Sequence, residues 1–481
     1  MSILKFVFIL LEVLLLFNLL IFVHELGHFL AARWRGLKVD RFAIWFGKPI
    51  WKKRINGVEY ALGTIPAGGY VSLPQMASME AIEGKGESSG KPLPPISALD
   101  KIIVAIAGPL FSFLLAAAFA VVVFAVGRPQ NTDDDSTIVG WVVPSYTTAD
   151  GQQKEGPAWK AGLRPGDEIL EIDGHPVKHF APPSQDSVTW RIITSKAPTI
   201  AIRYRRDGTN YLTEAAPYHR HTEWYERKAL RQLLIGPAIK PVVADVLTNS
   251  PAALAGLRAG DEIIKLNGDK IFSIDSVLHE EASMTNGAIK PSNFTVKRGD
   301  QEFERSLTAE KPLKPLRNGP SFGIVWQFST NTTIVHPTPI AQIKEGVGQI
   351  AATLGAVFSH KSEIGLQQLG GAVMIVRLYT NLFQSPHGWR LVLWWSVVIN
   401  VNLALLNLLP FPVLDGGHVV LALFEAVRRR PVSATVLQYI QTGCAMLLIG
   451  FMLFLAFYDT GDWVRSARHN RDEPMVFAPK K

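Results

Sequence analysis

The run His24-Glu25-Leu26-Gly27-His28 combines two imidazoles and a carboxylate at a spacing that could hold a metal ion and use it. On a helix, residues four apart lie on one face, so His24 and His28 can both reach one ion. Neutral imidazoles at this spacing are typical Zn²⁺ ligands, and Glu25 beside them could accept a proton from water during hydrolysis. The pattern predicts a hydrolytic zinc site whose third protein ligand comes from another part of the chain.

A candidate for that third ligand lies in the distant segment Asn407-Leu-Leu-Pro-Phe-Pro-Val-Leu-Asp-Gly-Gly-His418. Pro410 and Pro412 cannot continue a helix, so the chain must unwind there. Irregular backbone at membrane depth is tolerated only where it lines a cavity. Asp415 and His418 are both able to bind zinc, and the residues alone favour neither.

The element that carries the first motif is an apolar run, Phe6 to Val23, that approaches the length of a bilayer core. The alternative is a soluble helix with two surface histidines, which the flanking Leu, Ile, Phe and Val disfavour. A charged set inside lipid is costly, so its presence indicates function. No Ala-x-Ala cleavage site follows the run, which favours a retained transmembrane helix over a signal peptide.

Four segments are predicted to span a membrane. They are about Ile3 to Leu30, Ile102 to Val126, Leu391 to Leu409, and about Val436 to Phe457. The third carries Asn400, Asn402 and Asn407, whose amides need a protein or water partner. That helix should therefore face the interior of the bundle.

Charge bias predicts the orientation of these spans. Lys and Arg are concentrated in residues 31–101 and in the connector Arg428-Arg429-Arg430, so both should be cytoplasmic. Both termini and the long segment between the second and third spans then lie outside, and the zinc site lies toward the cytoplasmic side. The basic tail from Arg465 onward disagrees weakly, but short connectors carry the rule best.

Composition and charge indicate which kinds of partner the protein binds. The net charge of +8 is spread along the chain, and no Lys/Arg run is interleaved with aromatic residues. This favours anionic lipid headgroups over nucleic acid. The single cysteine, Cys444, excludes an intramolecular disulfide and a Cys-x-x-Cys metal knuckle.

The long external segment contains an internal repeat. Residues 156–174 recur at 250–268 with the shared core Pro-Ala-x-x-Ala-Gly-Leu-x-x-Gly-Asp-Glu-Ile. In each copy a short helix should end at Gly162 or Gly256 and lead into a buried strand. The pattern resembles PDZ domains, which usually bind an extended peptide by strand addition. Binding of peptide C-termini and a role in packing or gating both stay open.

Taken together, four motifs resemble the site-2 protease family of intramembrane zinc proteases. They are His24-Glu-Leu-Gly-His28, Gly63-Thr-Ile-Pro-Ala-Gly-Gly-Tyr-Val71, Ala107-Gly-Pro109, and the Asn407–His418 segment. The two PDZ-like repeats narrow the resemblance to the bacterial regulator-of-sigma-E protease (RseP-like) branch. The resemblance implies that His24, His28 and Asp415 bind Zn²⁺, that Glu25 is the catalytic base, and that His418 is not a ligand.

The fold that this implies is a polytopic α-helical membrane protein with about four transmembrane helices, a membrane-associated β-hairpin and two inserted α+β PDZ domains. The predicted parts are a first half of the membrane core (1–127, with the hairpin at 55–74), two PDZ domains (128–230 and 231–328), an amphipathic connector (329–388), the second half of the core (389–460) and a tail (461–481). The Gly- and Pro-rich segment 75–98 is predicted to be a flexible loop.

A transmembrane substrate has its carbonyls bonded within its own helix, so cleavage requires local unwinding. The edge of the predicted hairpin, with Gly68, Gly69 and Tyr70, could pair with an extended substrate. Asn402 and Asn407 could hold it through their amides, and interhelical hydrogen bonds are the alternative for both.

The sequence thus predicts a zinc endopeptidase of the inner membrane that cleaves transmembrane segments of membrane proteins. By resemblance, the typical substrate is an anti-sigma factor already shortened on its outer side. Two alternative functions make different predictions. A metal transporter should repeat metal ligands through several spans, and a proteolytically silent PDZ scaffold should have a damaged zinc set. The sequence has neither feature.

The sequence departs from the family pattern at Ala372, where relatives tend to have proline.

Overall fold

The computed structural model describes residues 3–76, 96–131, 135–148, 150–181, 185–285, 287–314, 319–327, 332–359, 362–430, 432–469 and 475–479. Most of the predicted loop at 75–98 lies outside these residues. The chain forms two compact units. Unit 1 comprises Met1–Pro129, Ile334–Ala351 and Gly370–Asp459, and unit 2 comprises Gln130–Thr333, Ala352–Leu369 and Thr460–Lys481.

The helices are α1 (Ile3–Trp34), α2 (Ala98–Val126), α3 (Pro157–Lys160), α4 (Val188–Thr194), α5 (Pro251–Leu254), α6 (Asp275–Ser283), α7 (Pro339–Val357), α8 (Ala372–Gln384), α9 (Gly388–Asn407), α10 (Asp415–Arg428) and α11 (Ala434–His469). The first ten strands are β1 (Arg41–Phe46), β2 (Trp51–Ile55), β3 (Val58–Leu62), β4 (Ile65–Ser72), β5 (Arg128–Asn131), β6 (Val139–Val142), β7 (Ser145–Thr147), β8 (Gln153–Glu155), β9 (Glu168–Ile172) and β10 (His175–Pro176). The others are β11 (Ile200–Arg206), β12 (Thr209–Ala215), β13 (Ile235–Pro237), β14 (Val242–Val246), β15 (Glu262–Leu266), β16 (Asp269–Lys270), β17 (Pro291–Arg298), β18 (Gln301–Thr308), β19 (Ile324–Gln327) and β20 (Thr332–Val335).

Four of the described helices are long and apolar enough to cross a membrane: Val7–Trp34, Ala98–Val126, Gly388–Asn407 and Thr435–Ala467. They agree with the four predicted spans. Where α2 and α9 meet, small residues of α2 (Ala116 and Ala120) pack against Val397 and Val401. Small side chains let apolar helices approach closely, which is how helices associate without a hydrophobic driving force.

The predicted hairpin at 55–74 is wrong. Its two strands, β3 and β4, do not pair, because β1 lies between them in a four-stranded sheet of order β2-β3-β1-β4. β1 runs parallel to β3 and antiparallel to β4. The tight turn is at Asn56-Gly57, where both residues have positive φ, and it joins β2 to β3. Asn-Gly is the sequence that such a turn favours, so the hairpin lies one strand earlier than expected.

Unit 2 contains the two repeats as two modules with separate cores. The first is centred on the sheet β10-β9-β11-β12, and the second on the sheet β18-β17-β15-β14-β19. The shared Gly-Asp of the repeat has the same role in both. Asp167 accepts hydrogen bonds from Arg206, and Asp261 accepts them from Arg298.

Two predicted boundaries in this unit are displaced. β13 pairs with β6, and Leu233 belongs to the core of the first module, so that module continues beyond residue 230. The predicted tail at 461–481 is also not a separate segment. Helix α11 continues to His469, and Val476 forms a bridge to Lys314 of the second module. These residues are held by strand pairing between distant parts of the sequence, and such pairing cannot be predicted from a local sequence pattern.

Candidate metal centre

Helix α1 brings its two histidines to one place because they are one turn apart. His24 is 7% exposed, and its Nε2 atom lies 3.3 Å from Nε2 of His28. Glu25 lies between them in sequence and lines the same cavity. The predicted pair of imidazoles with a neighbouring carboxylate is therefore present on one helix.

Asp415 reaches this pair from a distant part of the sequence. Helix α9 ends at Asn407, the chain unwinds through Pro410 and Pro412, and Asp415 is the first residue of α10. The next two residues are glycines because the turn folds back on itself. A Cβ at Gly416 would lie 2.2 Å from the Leu408 carbonyl oxygen, and one at Gly417 would lie 2.1 Å from that of Phe411.

The three side chains form a compact donor set. Asp415 Oδ2 lies 3.2 Å from His24 Nε2, and Asp415 Oδ1 lies 3.3 Å from His28 Nε2. Ligands of a tetrahedral zinc ion are about 3.3 Å apart when each bond is about 2.0–2.1 Å long. Among the described residues, His24, His28 and Asp415 form the one group whose donor atoms could hold a metal ion in this way.

Hydrogen bonds to α2 orient both imidazoles. His28 Nδ1 lies 2.8 Å from the Val104 carbonyl oxygen, which can only accept, so Nδ1 carries the proton and Nε2 of the neutral ring keeps its lone pair. His24 Nδ1 lies 2.9 Å from the hydroxyl of Ser112, which is fully buried. Such outer partners fix the tautomer and ring orientation of metal-binding histidines.

Two observations show that the donor set fits a zinc ion: the distances between its atoms, and a carboxylate oxygen whose hydrogen-bonding capacity is unsatisfied. Within the described residues, Oδ2 of Asp415 is buried and accepts no well-formed hydrogen bond, although His24 Nε2 lies 3.2 Å away. A buried carboxylate oxygen that accepts no hydrogen bond is costly, and a cation at this point would remove that cost. Two imidazole nitrogens and one carboxylate with room for a water is the ligand set of many catalytic zinc sites.

Glycines set the distance between α1 and α2 at this site. A Cβ at Gly27 would lie 2.4 Å from the Ala107 carbonyl oxygen, and one at Gly108 would lie 2.1 Å from His28 Nε2. Both positions therefore exclude a larger side chain. The Ala107-Gly-Pro109 motif thus allows α1 and α2 to pack closely and leaves space for the His28 ring.

A cavity of about 240 Å³ opens onto the donor set. Of the residues predicted to hold substrate, Asn407, Gly69 and Tyr70 line it, and Asn402 and Gly68 do not. The Asn407 amide nitrogen lies 3.3 Å from His24 Nε2. His418 also lines the cavity but does not belong to the donor group.

Asn402 and Gly68, the two predicted substrate-binding residues that do not line the cavity, have other surroundings. Asn402 lies in α9, and its buried Oδ1 has no hydrogen-bond partner within the described residues. Gly68 has a φ of 75°, and a Cβ there would meet the ring of Phe46. The sequence analysis missed Ser112 and Val104. The Ala107-Gly-Pro109 motif marks their helix, but nothing local distinguishes Ser112 from its apolar neighbours.

Comparison with known proteins decides the family. The model of peptidase family M50 matches residues 12–451. The chain belongs to peptidase family M50. The predicted membership of the site-2 protease family is therefore confirmed, and this M50 chain is a membrane zinc metalloprotease.

Several curated relatives align with almost the full length of this M50 chain. The regulator of sigma E protease of Haemophilus influenzae is 29% identical over 470 residues, covering 92% of this chain and 96% of the relative. A protein of Vibrio cholerae named "Putative zinc metalloprotease" is 27% identical over 442 residues, covering 87% and 91%. The regulator of sigma-E protease RseP of Salmonella typhimurium is 27% identical over 461 residues, covering 91% and 95%.

Among solved structures, a PDZ domain of an SdrC-like protein from Listeria monocytogenes is 23% identical. It covers 18% of this M50 chain and 86% of that domain, with a TM-score of 0.16.

Proposed function

We propose that this M50 chain is an intramembrane endopeptidase that cleaves the transmembrane segments of other membrane proteins. In this proposal His24, His28 and Asp415 hold Zn²⁺, and Glu25 is the general base. The observation that carries it is the donor set itself. Two of its members lie on α1 and the third follows α9, and both helices are apolar enough to span a bilayer.

The chemistry divides between the ion and the protein. When bound, Zn²⁺ polarises the scissile carbonyl and makes water more acidic. The Glu25 carboxylate accepts a proton from the attacking water and passes it to the leaving amine. Ser112 and the Val104 carbonyl keep both imidazoles turned toward Asp415, which preserves the site while substrates enter and leave. Asn407 faces the same cavity and can donate to a substrate carbonyl.

The substrate must reach this cavity as an extended chain, because the backbone groups of an intact helix are already paired. β4 is at one end of the four-stranded sheet, and its residues Gly69 and Tyr70 line the cavity. An end strand can pair with an added strand through its backbone. We therefore propose that an unwound substrate segment lies along β4, which also satisfies the backbone groups that unwinding frees.

The names of the relatives suggest the biological role. Two of the relatives described above are named regulator of sigma E protease and regulator of sigma-E protease RseP. We propose that this chain also acts in regulated intramembrane proteolysis, on an anti-sigma factor already shortened on its outer side. Charge bias supports an inner-membrane orientation with the PDZ modules and both termini in the periplasm and the zinc site toward the cytoplasm. The modules would exclude bulky ectodomains, and binding of peptide C-termini is a second role for them.

The test is cleavage of a single-span model substrate by the purified full-length chain in proteoliposomes. The wild type should cut, and a zinc chelator should stop it. Glu25→Gln should lower the cleavage rate by about 10²–10⁴-fold, because general bases typically contribute that much. It should keep its bound zinc, because Glu25 is not a ligand in this proposal.

Glu12→Gln is the matched control. Glu12 is a carboxylate on the same helix, about 18 Å from His24 along the helix axis at 1.5 Å per residue. This variant should cut like the wild type. Equal cutting by Glu25→Gln would reject the mechanism, and a wild type that binds zinc but cuts no membrane substrate would favour the scaffold alternative.

A further inference from the structure

Unit 2 carries an exposed aromatic pair that the catalytic site does not explain. We define the aromatic loop as residues 221–228, which lie between β12 and β13. Trp224 is 82% exposed and Tyr225 is 44% exposed. Their rings meet edge to face, with centroids 5.6 Å apart. Two large aromatic side chains exposed side by side form an apolar patch of the kind that marks an interaction surface.

Ion pairs tie this loop to the last turns of α11. Arg227 Nε lies 2.6 Å from Asp462 Oδ2. The neighbouring residue of the loop is also paired: Arg465 Nε lies 3.8 Å from Glu226 Oε1, and Arg465 also contacts Asp462. These bonds hold the aromatic loop beside the turn of α11 that contains Asp462.

That turn of α11 follows directly on the apolar part of the helix. The helix is about 54 Å long at 1.5 Å per residue, whereas the hydrocarbon core is about 30 Å thick. No charged residue occurs from Ala434 to Tyr458, and acidic and basic residues begin directly after it. Trp463 and Val464 are more than 40% exposed on the same turn. In a membrane-spanning α11, Asp462 therefore lies at the level of the lipid headgroups.

We propose that Trp224 and Tyr225 insert into the headgroup region of the outer leaflet and anchor the first PDZ-like module to the bilayer surface. Trp and Tyr favour this region because each ring has an apolar body and one polar group. Arg220, which directly precedes the loop, and Lys228, its last residue, can contact lipid phosphates. This anchor depends on α11 crossing the membrane and is independent of catalysis.

Depth measurement on the full-length chain tests the anchor. In a Cys444→Ser background, which removes the only cysteine, Glu223→Cys places a nitroxide label beside the intact aromatic pair. Power-saturation spectroscopy in vesicles of phosphatidylethanolamine and phosphatidylglycerol compares accessibility to oxygen, which concentrates in lipid, and to a water-soluble nickel complex. Ile449→Cys on α11 provides the lipid reference, and Asp300→Cys at the β17–β18 turn provides the water reference.

The label at position 223 should have an oxygen-to-nickel ratio severalfold above the Asp300→Cys reference. Replacing both aromatic residues by serine, Trp224→Ser with Tyr225→Ser, should bring the ratio down to that reference. Leu212→Ser is the matched control, because Leu212 is a 71% exposed apolar residue of the same module, and it should leave the ratio unchanged. A ratio equal to the water reference in the unsubstituted loop would overturn the proposal. Low accessibility to both reagents would also overturn it, because that result indicates a protein partner.

Discussion

The hydroxyl of Ser112 lies 2.9 Å from Nδ1 of His24, inside the contact between α2 and α1. Ser112 is fully buried, so this hydroxyl has no access to water and is available to His24. The contact links the orientation of one imidazole to a helix that contributes no member of the donor set. The geometry of the metal site thus depends on α2 as well as on α1.

Ser112→Ala should weaken zinc binding by about 10–100-fold, the usual effect of losing an outer partner of a ligating histidine. Competition with a chromophoric zinc chelator measures this on the detergent-solubilised chain. Ser396→Ala is the matched control, because Ser396 is equally buried and lies on α9, bonded to the Val392 carbonyl. An unchanged zinc affinity in Ser112→Ala would show that the contact does not position His24.

Gly108→Ala should remove zinc binding and cleavage together. The added methyl group would lie 2.1 Å from His28 Nε2, so the imidazole must leave its place between Val104 and Asp415. Metal content after purification and cleavage of the model substrate measure the outcome. Gly443→Ala on α11 meets nothing within 4 Å and should keep both properties. Full zinc content in Gly108→Ala would mean that the helices separate enough to accommodate the methyl group.

The third ligand can be identified by comparing two alanine variants. Asp415→Ala should lose zinc, because both of its oxygens face the imidazole nitrogens at 3.2–3.3 Å. His418→Ala should keep zinc, because His418 lines the cavity outside the donor group. Elemental analysis of both purified proteins checks this. The reverse result would transfer the ligand role from Asp415 to His418.

The Asp261–Arg298 pair should make the stability of the second PDZ-like module depend on pH. Burial alone would raise the pKa of Asp261, but the Arg298 guanidinium and the Arg258 amide outweigh it and lower the pKa below its usual 3.8. A carboxyl whose folded pKa is lowered stabilises the protein above its unfolded pKa. That stabilisation is lost as pH falls below 3.8 and through the folded value.

Asp261→Asn should therefore destabilise the module near neutral pH by about 1.5–3 kcal/mol, the range for hydrogen bonds to a charged group. Hydrogen exchange of the full-length chain, corrected for intrinsic rates, measures the difference from wild type at each pH. The difference should shrink as the solution is acidified below pH 3.8. A difference that stays constant down to the lowest pH would contradict the assignment.

The local sequence pattern predicted the two histidines of the candidate site fully, but it predicted the rest of the site only in part. The spacing of His24 and His28 follows from helix periodicity, so the sequence was sufficient there. Residue type alone could not decide whether Asp415 or His418 is the third ligand, because their distances to α1 depend on how α9 and α10 pack. Ser112 was missed for the same reason, since a serine inside an apolar span carries no local signal of its partner.

The sheet shows the same limit. Every residue of β3 and β4 lay within the predicted hairpin region, but the pairing was wrong because β1 inserts between them. Strand order is a property of contacts between distant residues. The Asn56-Gly57 turn was the available signal, and it indicates pairing of β2 with β3.

The position of β4 at the end of its sheet bears on which sequences the enzyme would accept. A strand that joins β4 would be recognised through its peptide groups, which are the same for nearly all amino acids. Selection would then depend on how readily a helix opens, and Gly or other weak helix formers near the cleavage point would be favoured. Proline would be accepted beside that point, where it loosens the helix, and rejected wherever its missing N–H must bond to β4.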